Sequence, residues 1–219
     1  MIRSWREVAA GYDEAAAGYD ERHGDRRGTA RARVLDAPLL DAARGARRVL
    51  ELGAGTGRLL AQLDAPVAIG VDVSPGMLAR ARARGLRVVR GDAQRLPFAT
   101  AAFDAVVAGK GVFRYLDPDR GFAEAARVLR PGGVLALHQY GARTWSPRHG
   151  RRAPAAAVHE VDRVDDLLAR AGRHGLTPTL VRRWRSVRIR PYLLEIPAWL
   201  DRAAPVQLWG HLVVVLRRE

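Results

Sequence analysis

Val49-Leu50-Glu51-Leu52-Gly53-Ala54-Gly55-Thr56-Gly57 decides the fold. Residues 48–52 are apolar enough for a short buried strand, and three alternate glycines follow immediately. A strand running into a glycine turn marks the place where an open parallel sheet binds ligands beyond its strand ends. Glycine there allows positive φ and lets the backbone approach a ligand closely.

The spacing of the turn discriminates between ligands. A dinucleotide fingerprint needs Gly-x-Gly-x-x-Gly or Ala with the pyrophosphate at a helix N-terminus. Here the third glycine comes one position early and Arg58 stands where the last small residue belongs. Glu51 directly precedes the turn, and a carboxylate there repels a pyrophosphate but suits a ligand carrying an ammonium and a sulfonium. An NAD-dependent oxidoreductase is disfavoured on both counts.

Outward from the turn, apolar runs alternate with helical segments. A helix is expected near 57–63 and a strand over 66–71. Ser74-Pro75 supplies an N-cap and a first-turn proline for a helix ending before Gly85. Strands are expected over 86–90, 103–108 and 134–138, with a helix near 118–129 stopping before Pro131-Gly132-Gly133. Alternating strands and helices predict a parallel sheet covered on both faces. Upstream, residues 1–44 read as a helical cap with breaks near Gly11, Gly24 and Pro38, so residues 45–219 form the main domain. The echo Gly11-Tyr12-Asp13-Glu14 and Gly18-Tyr19-Asp20-Glu21 is local, not a tandem repeat. Downstream, 143–154 is an Arg-, Pro- and Gly-rich excursion, 161–171 an amphipathic helix, and 179–189 and 212–216 an antiparallel strand pair at the sheet edge. Arginines at 183, 185, 188 and 190 fit an edge strand.

Two more strand ends carry polar chemistry. Asp72 lies 19 residues after Gly53 (72 − 53), where an acid can accept both ribose hydroxyls. In Gly91-Asp92-Ala93, the carboxylate can accept from an exocyclic adenine amine and the Ala93 amide can donate to a ring nitrogen.

This constellation resembles the class I S-adenosylmethionine-dependent methyltransferases, and within them the small-molecule subgroup of ubiquinone and menaquinone biosynthesis methyltransferases. The resemblance rests on Glu51 to Gly57, Gly70-Val71-Asp72-Val73-Ser74-Pro75-Gly76-Met77-Leu78, Gly91 to Phe98, Phe103-Asp104-Ala105-Val106-Val107, and Arg127-Val128-Leu129-Arg130-Pro131-Gly132-Gly133, with a weaker match at Tyr19-Asp20. It implies a Rossmann-like, seven-stranded, mostly parallel α/β sheet whose last strand is antiparallel, with helices on both faces. It also implies that S-adenosylmethionine is the cofactor. Glu51, Gly53, Ala54, Gly55, Thr56 and Gly57 would hold the methionine moiety. Asp72 would bind the ribose, Val73 and Met77 would pack beside the adenine, and Gly91, Asp92 and Ala93 would read its edge. Tyr19 would close over the cofactor, and Gly109 would line the same pocket.

The acceptor pocket is expected past the fourth and fifth strands, from Gly109, Lys110, Gly111, Phe113, Arg114 and Tyr115, and from His138, Gln139 and Tyr140. His138 is the candidate base, since a histidine titrates near neutrality. Lys110 is the only Lys among 37 basic residues, so compositional drift toward Arg did not place it there; it anchors a substrate anion or lines the cofactor pocket. The aromatics Tyr192, Trp199 and Trp209 could cover a flat acceptor, form a dimer contact or pack as core.

Composition bounds the rest. With 219 residues, 48% hydrophobic and 27% charged, the chain has a globular balance. It has no cysteine, which excludes disulfides, thiolate metal sites and a cysteine nucleophile, and no metal is expected. No apolar run is long enough to span a bilayer and no secretory signal is visible, so a cytoplasmic location is the expectation. The net charge of +14 suits an anionic partner and keeps an RNA or other nucleic-acid methyltransferase as an alternative. Against that stands the absence of an Asn/Asp-Pro-Pro-Tyr/Phe tetrapeptide. A small-molecule acceptor, no nucleic-acid partner and a monomer or homodimer are therefore expected. A non-catalytic S-adenosylmethionine-binding protein remains the other reading.

Overall fold

The computed structural model describes residues 5–23, 26–140, 164–186, 193–195 and 211–219. Three N-terminal helices, α1 (Trp5–Ala16), α2 (Tyr19–His23) and α3 (Arg26–Ala42), precede the sheet. The strands are β1 (Arg48–Leu52), β2 (Val67–Asp72), β3 (Val88–Arg90), β4 (Phe103–Ala108), β5 (Leu129–Tyr140), β6 (Leu176–Ser186), β7 (Leu193–Glu195) and β8 (His211–Arg218). Between them lie α4 (Pro75–Ala83), α5 (Pro118–Val128) and α6 (Val164–Gly172).

The sheet runs in the order β3-β2-β1-β4-β5-β8-β6-β7. The first five strands are parallel to their neighbours. β8 is antiparallel to both β5 and β6. Seven strands thus follow the expected plan with the final one reversed, and the three-residue β7 adds an eighth along part of β6. β8 does not close an edge. It is inserted between β5 and β6, and its buried run Leu212–Leu216 is apolar on both faces, as an interior strand requires.

Strand alternation sorts the core onto two faces. Leu50, Leu52, Val106, Leu135, Leu137, Leu212 and Val214 meet Phe122, Ala125 and Val128 of α5 and Leu167 and Ala171 of α6. Val49, Ala105, Val107, Ala136, Val213 and Val215 meet Leu35 and Leu39 of α3 and Ala43 just after it.

Local rules account for most element ends. Ser74 caps α4 by accepting from the Met77 amide at 3.1 Å, and Asp117 caps α5 by accepting from Arg120 at 3.1 Å. Gly85, at φ +74°, follows α4. The motif residues Asp104 and Arg127 are structural. Asp104 accepts from the Arg47 and Arg48 amides, each at 2.8 Å, and pairs with Arg130 at 2.7 Å, so β4 anchors the start of β1 and the bulge in β5. Arg127 binds Glu124 and the carbonyls of Leu96 and Phe98, fastening the loop after β3 to α5.

Three local expectations are corrected. The segment near 57–63 forms only a single 3-10 turn, Leu60–Gln62, in which the Gln62 and Leu63 amides bond three residues back. α1 runs through Gly11 and breaks instead after Ala16, while α3 runs through Pro38. Buried Leu35, Leu39 and Ala43, at helical spacing, hold α3 on the sheet, and the carbonyl that Pro38 leaves without a helical donor belongs to the exposed Val34. β6 is also not the outer edge that its arginines suggested; β7 covers its end from Trp184 to Ser186. The excursion at 143–154, and the aromatics Tyr192, Trp199 and Trp209, lie outside the described residues.

Candidate active site

Three strand ends meet at the C-terminal edge of the parallel sheet. β1 ends in the glycine turn, where Gly53, Gly55 and Gly57 adopt φ of +64°, +55° and +82°. These glycines differ in purpose. A Cβ on Gly53 would overlap Val112 and one on Gly57 would overlap Leu86, so both are dictated by packing. A Cβ on Gly55 would meet nothing within 4 Å. The open side of the turn is therefore at Gly55, between two glycines that are closed off.

Asp72 bridges β2 to that turn. Its Oδ2 accepts from the Gly55 amide at 2.8 Å and its Oδ1 from the Ser74 amide at 2.9 Å. Burial raises its pKa, and the three backbone amides of Ser74, Gly55 and Val73 pull the other way. Val73 follows Asp72, and Met77 is buried on the inner face of α4. At the end of β3, Asp92 accepts from the Gln94 amide at 2.9 Å. Gln94 in turn accepts from the Asp117 amide at 2.9 Å, so the Gly91-Asp92-Ala93 loop is held in shape against α5. A cavity of about 400 Å³ opens beside it, lined by Asp92, Gln94, Arg95, Arg120, Ala123 and Glu124.

Glu51 lies under the turn, 3% exposed. Its Oε2 is buried and has no hydrogen-bond partner among the described residues. Burial raises its pKa well above the ordinary carboxylate range, with Asp36 and Asp72 adding to the rise; Lys110 and the Leu60 amide oppose it. Lys110 holds a left-handed backbone at φ +51°, which is rare for a residue with a Cβ. Burial and the neighbouring Arg58 lower its pKa, whereas Asp36, Glu51 and Asp20 raise it. Its Nζ stands 5.5 Å from the Tyr19 ring centroid. Lys110 thus lies in the field of three carboxylates, Asp36, Glu51 and Asp20. Gly109, which precedes it, packs against Leu59.

Tyr19 is brought to the site by the N-terminal helices. Asp13 of α1 accepts from Ser74 Oγ at 2.5 Å and from the Gly76 amide at 2.8 Å, at the start of α4. Asp20 of α2 accepts from Thr56 Oγ1 at 2.7 Å and pairs with Arg84 at 2.6 Å. Arg80 also reaches the Ala17 carbonyl. Burial raises the Tyr19 pKa strongly, with Tyr140, Tyr115 and Asp72 adding to the rise.

His138 lies on β5, 3% exposed, its Nε2 3.1 Å from Nδ1 of His211 on β8. The two rings stack at 5.2 Å, and Tyr140 stands 4.9 Å from His138. This placement makes His138 one half of a buried imidazole pair rather than an isolated base.

Residue-by-residue reading of the sequence missed Asp13, Asp36, Tyr12 and His211. Asp36, on α3, is buried near Lys110. Tyr12 donates to Tyr115 Oη at 3.2 Å. A signal for Tyr12 and Asp13 did exist: the Gly-Tyr-Asp-Glu echo places two tyrosines seven residues apart, and their rings meet at 6.3 Å. His211 and Asp36 had no such signal. Among the described residues no cluster suits a metal ion, and no helix is long and apolar enough to cross a membrane.

Comparison with known proteins follows the same geometry. Residues 50–137, from β1 through most of β5, match the family model described as a methyltransferase domain. The chain is 43% identical over 163 residues to a demethylmenaquinone methyltransferase of a Mycobacterium species (strain KMS), covering 71% of this chain and 62% of that protein. It is 41% identical over 109 residues to the demethylmenaquinone methyltransferase of Beutenbergia cavernae, 48% of this chain and 45% of that one. The chain therefore spans about half to three-fifths of the length of these relatives. In three dimensions it is similar to an S-adenosylmethionine-dependent methyltransferase from Thermotoga maritima (TM-score 0.65, 21% identity, covering 96% and 99% of the two chains). It is also similar to the geranyl diphosphate C-methyltransferase of Streptomyces coelicolor (TM-score 0.61, 18% identity, covering 85% and 79%). By its strand order, its glycine turn and these matches, the chain has the fold of the class I S-adenosylmethionine-dependent methyltransferases and matches a methyltransferase domain over residues 50–137.

Proposed function

We propose that this chain transfers a methyl group from S-adenosylmethionine to a small-molecule acceptor. The observation that carries the reading is the open side of the glycine turn at Gly55, with Asp72 at one end and the buried Glu51 beneath. A diphosphate would meet two buried carboxylates there, whereas a ligand with an ammonium and a sulfonium would be welcomed by both. The site fits that cofactor on its own chemistry. The unpartnered Glu51 Oε2 offers an acceptor to a cation, Asp72 to a diol, and Asp92 with the Ala93 amide to an adenine edge.

When bound, the cofactor supplies a methyl group activated by its sulfonium. The protein contributes position. The Gly53–Gly57 backbone and Glu51 hold the amino-acid end, Asp72 the ribose, and Val73 and Met77 pack beside the base. Tyr19, fastened by the Asp20–Thr56 bond, covers the cofactor from α2. The acceptor would face Tyr12, Tyr115, Arg114 and Tyr140, which lie in contact with one another beside Tyr19. Proximity and alignment of this kind contribute roughly 7–11 kcal/mol to a bimolecular transfer. His138 is placed to pass a proton to His211, 3.1 Å away. The described fold and the relatives favour a small acceptor with no nucleic-acid partner, and a cytoplasmic monomer or homodimer is the simplest arrangement.

Calorimetry with S-adenosylmethionine and S-adenosylhomocysteine tests the reading. Both ligands are expected to bind the wild-type chain, and Asp72→Ala to weaken binding by more than tenfold with the circular dichroism spectrum unchanged. Wild-type affinity in that variant would remove Asp72 from the site, and no binding by the wild type would remove the function.

A further inference from the structure

Several half-buried arginines of this protein are answered by acceptors. Arg80 pairs with Asp20, Arg127 with Glu124 and Arg170 with Asp119, and Arg218 reaches the Leu129 carbonyl. Arg114 has no ion pair among the described residues. It follows β4 in a single 3-10 turn, Val112–Tyr115, set by the left-handed residues Lys110 and Gly111. No carboxylate among the described residues lies within salt-bridge distance of it, and its Nε is buried with no hydrogen-bond partner among them. A guanidinium donor sheltered from water without an acceptor is unfavourable unless a ligand completes it.

Its surroundings say what kind of ligand. The guanidinium carbon stands 5.3 Å from the Tyr140 ring centroid and 5.7 Å from that of Tyr115. Tyr115 meets Tyr12 edge-on at 6.0 Å, and Tyr12 meets Tyr19 at 6.3 Å. Tyr19 in turn lies beside Lys110, its ring centroid 5.5 Å from Nζ. A wall of tyrosines thus leads from the methyl-donor side to one uncompensated cation. Lys110 differs in its surroundings, since Asp36, Glu51 and Asp20 all favour its charged form. Aromatic walls accept flat, unsaturated molecules, and a guanidinium fork matches the two oxygens of a carboxylate or phosphate.

We propose that the acceptor is a planar, unsaturated molecule bearing an oxyanion, and that Arg114 is the residue that selects it. This rests on the methyl-transfer reading and adds the charge of the acceptor and the residue that reads it.

The test uses the whole chain saturated with S-adenosylhomocysteine, whose own binding is measured first. Binding of 2-naphthoate, 2-naphthyl phosphate and the neutral methyl 2-naphthoate is then followed by calorimetry. The better of the two anions is expected to bind at least tenfold more tightly than the ester, and which anion wins assigns carboxylate or phosphate. In Arg114→Gln the ratio should fall to near one while S-adenosylhomocysteine affinity stays within twofold; Arg114→Lys should keep part of the preference. Equal binding of anions and ester, binding of none of the three, or a preference surviving Arg114→Gln would overturn the proposal while leaving methyl transfer standing. Failure of S-adenosylhomocysteine to bind would instead overturn the methyl-transfer reading, and the acceptor proposal with it.

Discussion

At Glu51, burial sets how the proposed cofactor binding should depend on pH. The raised pKa means that the folded protein holds this proton more tightly than the unfolded chain does. Its contribution to stability is therefore fully present below the unfolded carboxylate value, about 4.3, and is lost as pH rises through the folded value. A cationic ligand favours the carboxylate and reverses that loss. S-adenosylmethionine is accordingly expected to bind more tightly as pH rises, with release of a proton on binding. Calorimetry in two buffers of different ionisation enthalpy reads the proton directly. Glu51→Gln should flatten the dependence, and proton uptake in the wild type would reverse the assignment. Gly55 supplies a second test at this scale. Its φ of +55° strains any β-branched side chain, and a side chain there would fill the open face of the turn. Gly55→Val is expected to abolish cofactor binding in equilibrium dialysis, and retained wild-type binding would place the cradle elsewhere. The positions of both residues at a strand end and its turn were legible in the sequence because they follow from neighbours along the chain. Arg114 and His138 were legible only as members of a lining, since what each one touches is set by other strands and turns.

At the scale of elements, α1 and α2 are held over the site by two aspartates. Asp13 accepts from Ser74 and Gly76, supplementing the cap of α4. Asp20 joins Thr56 of the glycine turn to Arg84 of the same helix. Asp13→Ala is expected to cost about 1–2 kcal/mol, the range for a lost helix cap, read as a lower denaturant midpoint. Asp20→Asn should leave the midpoint nearly unchanged but raise the dissociation rate of S-adenosylmethionine several-fold in stopped-flow fluorescence, because it loosens Tyr19 from the turn. An unchanged rate would mean that α2 does not cover the cofactor. The helical character of this segment was readable from composition, and its breaks were not. Gly11 and Pro38 carry strong local preferences, but α1 is pinned to α4 and α3 to the sheet, and packing outweighs a propensity of about 1 kcal/mol for glycine. The opposite happened near residues 57–63, where the stretch between the glycine turn and β2 forms only a 3-10 turn.

Across the whole molecule, stability resides in two apolar layers on either side of one sheet. Phe122, fully buried, packs on Phe113 with centroids 4.8 Å apart and joins α5 to the turn that carries Arg114. Phe122→Ala should cost about 3–5 kcal/mol, as for other large core truncations, measured by urea denaturation. A loss below 1 kcal/mol would mean that this layer repacks freely.

What the sequence determined by itself was local: the strand, the glycine turn, the acids at three strand ends and the caps of α4 and α5. Each depends on backbone geometry within a few residues, so residue type and spacing suffice to read it. Only the tertiary structure decided which distant groups meet. Tyr12 finds Tyr115 from 103 residues away and His138 finds His211 from 73, because β8 enters the sheet beside β5 instead of closing its edge. No local preference encodes such a meeting; it follows from the burial of β8 between two strands and from helices folded back across the sheet's end.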